Sequence, residues 1–255
     1  MKLLTMARDL QRRRGRERQG RFVAEGVRTV EALLASTLTV DGLLVADSAI
    51  GAARTAALVT QAEARGIVVQ MVTEGEFESA ADTEQPQGVL AVARIPEWPM
   101  PSTPRLGFRA LILDALQDPG NVGTVIRTAA ALGVDATFAL PGTVDHWNAK
   151  VVRSSMGALF HHPVHALDWE ALASWRAAYD VPCWGADMHG DRLDAVGAPL
   201  PERLALIVSN EGAGLSQVAE ALVSRRLAIP MVTSVESLNV AVATGILLYA
   251  LRSAP

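Results

Sequence analysis

The chain has 255 residues, 50% hydrophobic and 20% charged, an ordinary globular composition with material for one large domain or two smaller ones. Its single cysteine, Cys183, excludes an intramolecular disulfide and any multi-cysteine metal cluster, which suits a reducing compartment. A net charge of −4 excludes a protein that coats nucleic acid with its whole surface. The start, Met1-Lys-Leu-Leu-Thr-Met-Ala-Arg-Asp, turns charged too early for a secretory signal. The longest apolar helix candidate, Val240 to Leu251, falls short of the ~20 residues of a membrane span, so a cytoplasmic protein with no membrane partner is expected.

The charge is unevenly placed. Residues 1–30 hold nine Lys and Arg (Lys2, Arg8, Arg12, Arg13, Arg14, Arg16, Arg18, Arg21, Arg28) against Asp9, Glu17 and Glu25. That balance of +6 leaves −10 for the other 225 residues. A local phosphate-binding surface on an acidic protein has this pattern, and so does a solvated helix face.

Taken in order, Thr5 to Gln19 reads as a basic helix or ordered arm, and 20–26 as a short strand with Phe22 and Ala24 on one face. A helix follows over Val27 to Ser36. Strands are expected over Val40–Ala46, Ile67–Val72 and Val89–Ala93, with an alanine-rich helix from Ala52 to Arg65. This alternation makes residues 1–95 a small α/β domain. Pro96, Pro99, Pro101 and Pro104 then break regular structure, so 96–106 reads as a semi-rigid linker.

Beyond it, strands are expected over Ala110–Leu113, Ala136–Leu140, Pro163–Leu167, Pro182–Ala186, Leu204–Ser209 and Leu227–Met231. Helices are expected over Asn121–Leu132, Ala149–Ser155, Trp169–Tyr179 and from Val240 on. Strand followed by helix, repeated, implies a mainly parallel sheet covered on both faces, with ligands beyond the strands' carboxyl ends. The last helix is apolar nearly all round, as a helix buried on every side must be.

Three polar loops leave such strand ends, at 114–123, 209–216 and 232–239. In the first, Pro119-Gly120 signals a turn, Asn121 sits where a helix cap belongs, and Arg127 lies six residues on, on an otherwise aliphatic face. The second, Ser209-Asn-Glu-Gly-Ala-Gly-Leu-Ser216, is glycine-rich but carries no Gly-Lys-Ser/Thr, so it is not a P-loop. Glu211 there is a helix-capping partner or a functional carboxylate. In the third, Ser237 and Asn239 offer capping oxygens to the helix that follows. His161, His162 and His165 lack a suitably spaced cysteine or acid, so no metal is expected.

Together the segments DPGNVGTVIRTAAALG (118–133), LIVSNEGAGLS (206–216) and IPMVTSVESLNVAVATGILLYAL (229–251) resemble, in order and spacing, the three motifs of the SpoU (TrmH) family of RNA 2′-O-ribose methyltransferases. RFVAEGVRTVEALL (21–34) is similar to that family's N-terminal RNA-binding domain, itself like ribosomal protein L30e. The resemblance implies an α/β SPOUT methyltransferase domain over 107–255, with a parallel sheet and a deep trefoil knot, behind an L30e-like RNA-binding domain over 1–95. It implies S-adenosyl-L-methionine as cofactor, a homodimer, and structured RNA as substrate, ribosomal ahead of transfer RNA. Carried over by motif, Ser209, Gly212, Ile229, Met231 and Leu238 would bind the cofactor. Arg127, Asn121, Glu211, Ser237 and Asn239 would form the catalytic set, and Arg12, Arg13, Arg14, Arg16, Arg18 and Arg21 would grip RNA.

A ribose 2′-hydroxyl is a poor nucleophile whose proton must leave as the new bond forms. An arginine of ordinary pKa cannot take that proton, so the role expected of Arg127 is to stabilise the developing alkoxide and to fix a phosphate. Two positions depart from the family pattern, Ser209 and Thr233, where glycine is usual. They support an alternative, a non-catalytic SPOUT-like RNA-binding protein with impaired cofactor binding.

Overall fold

The structure is a computed structural model that describes residues 2–252 except 103, 198, 211, 213 and 233–236. The described chain falls into two compact units, one of residues 1–97 with 145–161, the other of 98–144 with 162–255.

The first unit is built on a four-stranded sheet of β1 (Arg21–Glu25), β2 (Val40–Ala46), β3 (Val68–Val72) and β4 (Val89–Arg94), in the order β1-β4-β2-β3. β4 runs antiparallel to both neighbours, and β2 and β3 are parallel. Alternation sends Val23, Leu44, Leu90 and Val92 to one face, where they meet Leu4, Ala7 and Leu10 of α1 (Leu3–Leu10) and Phe77 of α5 (Glu74–Glu78). α5 was not expected from sequence; Thr73 and Glu76 form a capping box that starts it. On the other face Phe22 stacks on Trp147 and Phe160, at 4.5 and 5.8 Å between ring centroids. Both aromatics come from the later segment, which carries α7 (Ala149–Ser154). α3 (Val27–Ala35) and α4 (Ala53–Ala64) complete the unit.

The expected single basic arm is two helices, α1 and α2 (Arg13–Gln19). Gly15 lets them pack closely, since a Cβ there would lie 2.1 Å from the Asp9 carbonyl oxygen. Arg16 corrects the expectation of an outward-facing row of arginines. It is 4% exposed, donates to the Leu10 and Gln11 carbonyls, and pairs with Asp145 at 2.6 Å. A guanidinium so enclosed is satisfied by the protein itself and is not offered to RNA.

The second unit is a six-stranded, wholly parallel sheet in the order β10-β8-β9-β5-β6-β7. Its strands are β5 (Phe108–Asp114), β6 (Ala136–Ala139), β7 (Val164–Ala166), β8 (Cys183–Arg192), β9 (Arg203–Ser209) and β10 (Val223–Ala228). β5 and β9 are near-continuous aliphatic runs because both their faces are covered. One face packs Phe108, Ile112, Phe138, Trp175 and Ile207 with α8 (Trp169–Ala178) and with Ala219 of α9 (Gln217–Leu222). α6 (Pro119–Ala131) and α10 (Val240–Leu251) pack on each other, and α10 also meets β9.

One expectation shifts here. The last strand, expected over Leu227–Met231, runs from Val223 and ends at Ala228, before Ile229-Pro230, while α9 follows directly on its cap Ser216. The last helix is not buried on every side of this chain: Val242, Ile246 and Tyr249 are 53, 39 and 57% exposed. Their spacing of four and three residues makes them one stripe along α10.

His162 donates to or accepts from Thr137 Oγ1 at 2.8 Å within the second unit. Burial, opposed by Asp135 and reinforced by His165, lowers its pKa to about 4. As pH falls from the unfolded value of about 6.5, the unfolded chain protonates first, so this contribution is complete above pH 6.5 and lost on the way down to about 4. Its full size is about 3 kcal/mol. Urea unfolding of His162→Gln at pH 7.5 and 5 is expected to show a shallower acid loss than the parent.

Candidate functional site

The carboxyl ends of β8, β9 and β10 open on one cavity of about 430 Å³, within the range of small-molecule sites. Val208, Leu215, Leu227, Ile229, Leu238 and Leu247 give it apolar walls, and Ser209, Asn210, Ser237 and Thr244 supply neutral polar groups. All five residues assigned to the cofactor, Ser209, Gly212, Ile229, Met231 and Leu238, line it, and so does Ser237. A half-open cleft with apolar walls, hydroxyls, amides and a few ionisable groups suits a nucleoside-like ligand.

The loops are held by identifiable bonds. Asp114, buried at the end of β5, accepts from Ser216 N at 2.7 Å, and Ser216 in turn caps α9. Ser216, which follows the glycine-rich segment, is therefore tied to the strand that begins the first polar loop. Ser209 lies in register opposite Asp114 at the end of β9. It is not among the described non-glycine residues with positive φ, which are Ala115, Met156 and Asp180, so the serine adds a hydroxyl without backbone strain. Thr233, the other departure, lies outside the described residues.

Ala115, directly after β5, has a φ of 55°. Left-handed backbone is costly for any residue with a Cβ, so Ala115→Gly is expected to stabilise the protein by about 0.5–1 kcal/mol, read from denaturant midpoints.

The other predicted catalytic residues lie on α6 and at the start of α10. The cap of α6 is Asp118, whose carboxylate accepts from Asn121 N at 2.7 Å, with Pro119 at the first helical position. Asn121, expected as the cap, is thus inside the helix, and its side chain is released for another partner. Asn239 Nδ2 donates to Asn121 Oδ1 at 3.1 Å, while Asn239 Oδ1 caps α10 by accepting from Ala241 N. Arg127 is exposed on α6 and makes no hydrogen bond or ion pair to a described residue. Glu211 lies outside the described residues.

One wall escaped the sequence reading. β8 was expected to end at Ala186, but it continues to Arg192 with a break in register: Gly185 pairs with Arg226, and the next pair is Asp191 with Leu227. The detour places Ala186, Asp187, Met188 and His189 against the cavity. Gly185 and Gly190, which bracket it, were the available signal, because glycine inside a strand pattern often marks a bulge.

Residues 109–249 match the SpoU rRNA Methylase family, and residues 4–91 match the MRM3-like substrate binding domain. The chain belongs to the SpoU rRNA methylase family. Within it, the chain is 36% identical to 23S rRNA (guanosine(2553)-2′-O)-methyltransferase RlmP of Bacillus subtilis (strain 168), over 95% of this chain and 93% of that protein. It is 32% identical to 23S rRNA (uridine(2479)-2′-O)-methyltransferase of Streptomyces viridochromogenes, over 71% of this chain and 65% of the relative. Its fold is similar to the SpoU methyltransferase AviRb from Streptomyces viridochromogenes in complex with AdoMet, with a TM-score of 0.84, 27% identity, and coverage of 98% of this chain and 97% of that one. The AdoMet-bound rRNA methyltransferase from Sinorhizobium meliloti gives a TM-score of 0.83 at 26% identity, covering 98% of this chain and 94% of the other. The family's parallel-sheet α/β methyltransferase fold is the fold of the second unit.

Proposed function

We propose that the chain is an S-adenosylmethionine-dependent ribose 2′-O-methyltransferase acting on ribosomal RNA. The observation that carries this reading is the convergence of Ser209, Gly212, Ile229, Met231, Ser237 and Leu238 on one cavity at the ends of parallel strands. Relatives named as 23S rRNA 2′-O-methyltransferases support it.

Bound there, the cofactor supplies a methyl group on an electrophilic sulfonium, and transfer to oxygen needs no metal. The apolar walls exclude water, and Ser209, Asn210 and Ser237 supply hydrogen bonds. Arg127 stabilises the charge that develops on the 2′-oxygen as its proton leaves to solvent, and holds a neighbouring phosphate. Asn121 and Asn239, bonded to each other, fix the first turns of α6 and α10. Glu211 belongs to the catalytic set on motif grounds alone.

The first unit is assigned the RNA, as an L30e-like domain over 1–95. Arg12, Arg13, Arg14 and Arg18 are exposed. The pairs Arg13–Glu17 and Arg18–Asp9 lie at the surface, where such pairs contribute under about 1 kcal/mol and yield readily to a phosphate. Arg21 pairs with Asp41 and is half-buried, so its part is smaller.

The exposed apolar stripe Val242, Ile246 and Tyr249 is assigned to a homodimer interface. Ile246→Asp is expected to shift the protein to a monomer by analytical ultracentrifugation; an unchanged mass would remove the stripe from that role. A deep trefoil knot in the methyltransferase domain and a cytoplasmic location complete the proposal. No helix among the described residues is long and apolar enough to cross a membrane.

Mapping ribose methylation in RNA from a strain lacking this protein tests the function. Loss of a 2′-O-methyl mark from ribosomal RNA supports it, and an unchanged map contradicts it.

A further inference from the structure

The ionisable groups among the cavity's described lining residues are Asp187, His189 and Glu220. Asp187 is the most enclosed, its side chain 18% exposed against 47% for Glu220 and 83% for His189. Its place is fixed twice over. Gly190 lies so close to β10 that a Cβ would stand 2.5 Å from the Arg226 carbonyl carbon, which pins the bulge. Arg226 then donates to Asp187 at 2.9 Å and to Glu220 at 3.2 Å, and His189 N donates to Asp187 Oδ1 at 2.9 Å. The His189 amide, with Arg226, holds the Asp187 carboxyl below its usual range, so at neutral pH it is an acceptor only. A carboxylate has about four lone-pair positions, and these bonds engage two, leaving acceptors free at the cavity.

We propose that Asp187 is a cofactor-recognition residue that accepts a hydrogen bond from a donor group of the bound cofactor, its ribose diol or its α-ammonium. The proposal rests on the reading that the cavity holds S-adenosylmethionine. The remaining polar lining, Ser209, Asn210, Ser237 and Thr244, is neutral, and Thr244 Oγ1 already donates to Val240 O. An RNA phosphate would be repelled by Asp187 and Glu220. A diol or an ammonium matches an ionised acceptor, whereas the adenine ring nitrogens do not.

Isothermal titration of the full chain and of Asp187→Asn with S-adenosylmethionine, S-adenosylhomocysteine and 5′-methylthioadenosine tests this. Loss of a charge-assisted acceptor is expected to weaken S-adenosylmethionine binding about tenfold. Similar weakening of methylthioadenosine, which keeps the nucleoside and lacks the ammonium, excludes the ammonium, and an undiminished effect of the variant on 2′,3′-dideoxy-methylthioadenosine would exclude the diol. Weakening of the other two alone assigns the ammonium. Unchanged affinities for all three overturn the proposal, as does a loss confined to S-adenosylmethionine, which would place the carboxylate against the sulfonium. Melting without ligand registers damage to the fold, and Asp187→Ser provides a second variant. A parent protein that fails to bind S-adenosylmethionine sinks the functional reading instead.

Discussion

Replacing Arg127 with alanine is expected to lower methyl transfer by about a hundred- to a thousandfold while leaving S-adenosylmethionine affinity nearly unchanged. The split follows from where the side chain sits. Arg127 is on α6 and is not among the residues lining the cavity, and no described residue pairs with it, so its removal leaves no buried group unsatisfied. In the proposed mechanism its charge acts only where negative charge develops on the ribose oxygen, in the transition state rather than in the bound cofactor. Arg127→Lys keeps the charge but loses the planar fork that holds a phosphate at two points, so it should recover only part of the rate. Single-turnover kinetics beside calorimetry reads both quantities. Normal turnover in Arg127→Ala would remove the residue from the mechanism.

Asp145→Ala is expected to destabilise the protein by about 3 kcal/mol, because it leaves the enclosed Arg16 guanidinium without its counter-charge. In a unit of this size that corresponds to a fall in melting temperature of more than about 10 °C. The double variant Arg16→Met with Asp145→Leu should regain most of the loss, since replacing both partners of a buried pair by apolar groups is often near neutral. If Arg16 acted chiefly on RNA, Asp145→Ala would barely move the melting point.

Much of this arrangement was legible in the sequence, because it is carried by local pattern. The aliphatic runs of β5 and β9, the helical spacing of α6 and the polar islands after the strands are properties of neighbouring residues. The cavity residues were implied by the resemblance of three short segments to the SpoU family motifs, and each of those segments is a local run of residues. What escaped depends on partners distant in sequence. Arg16 looks like its neighbours until Asp145, 129 residues on, is seen beside it. Asp187 looks like surface until the register break against β10 turns it to the cavity. Asn121 lost its expected role as cap to Asp118, three residues earlier, where the Asp-Pro step suits a helix start better than Gly-Asn.

The central claim is transfer of a methyl group to a ribose 2′-oxygen of ribosomal RNA. Its most direct test is incubation of unmethylated ribosomal RNA with the protein and methyl-labelled S-adenosylmethionine, followed by complete alkaline hydrolysis. Alkali cuts RNA through the 2′-oxygen, so a 2′-O-methyl group protects the adjacent linkage. The predicted result is label in alkali-resistant dinucleotides, lost with Arg127→Ala. Label in mononucleotides, the mark of base methylation, or cofactor binding without any transfer, would contradict it.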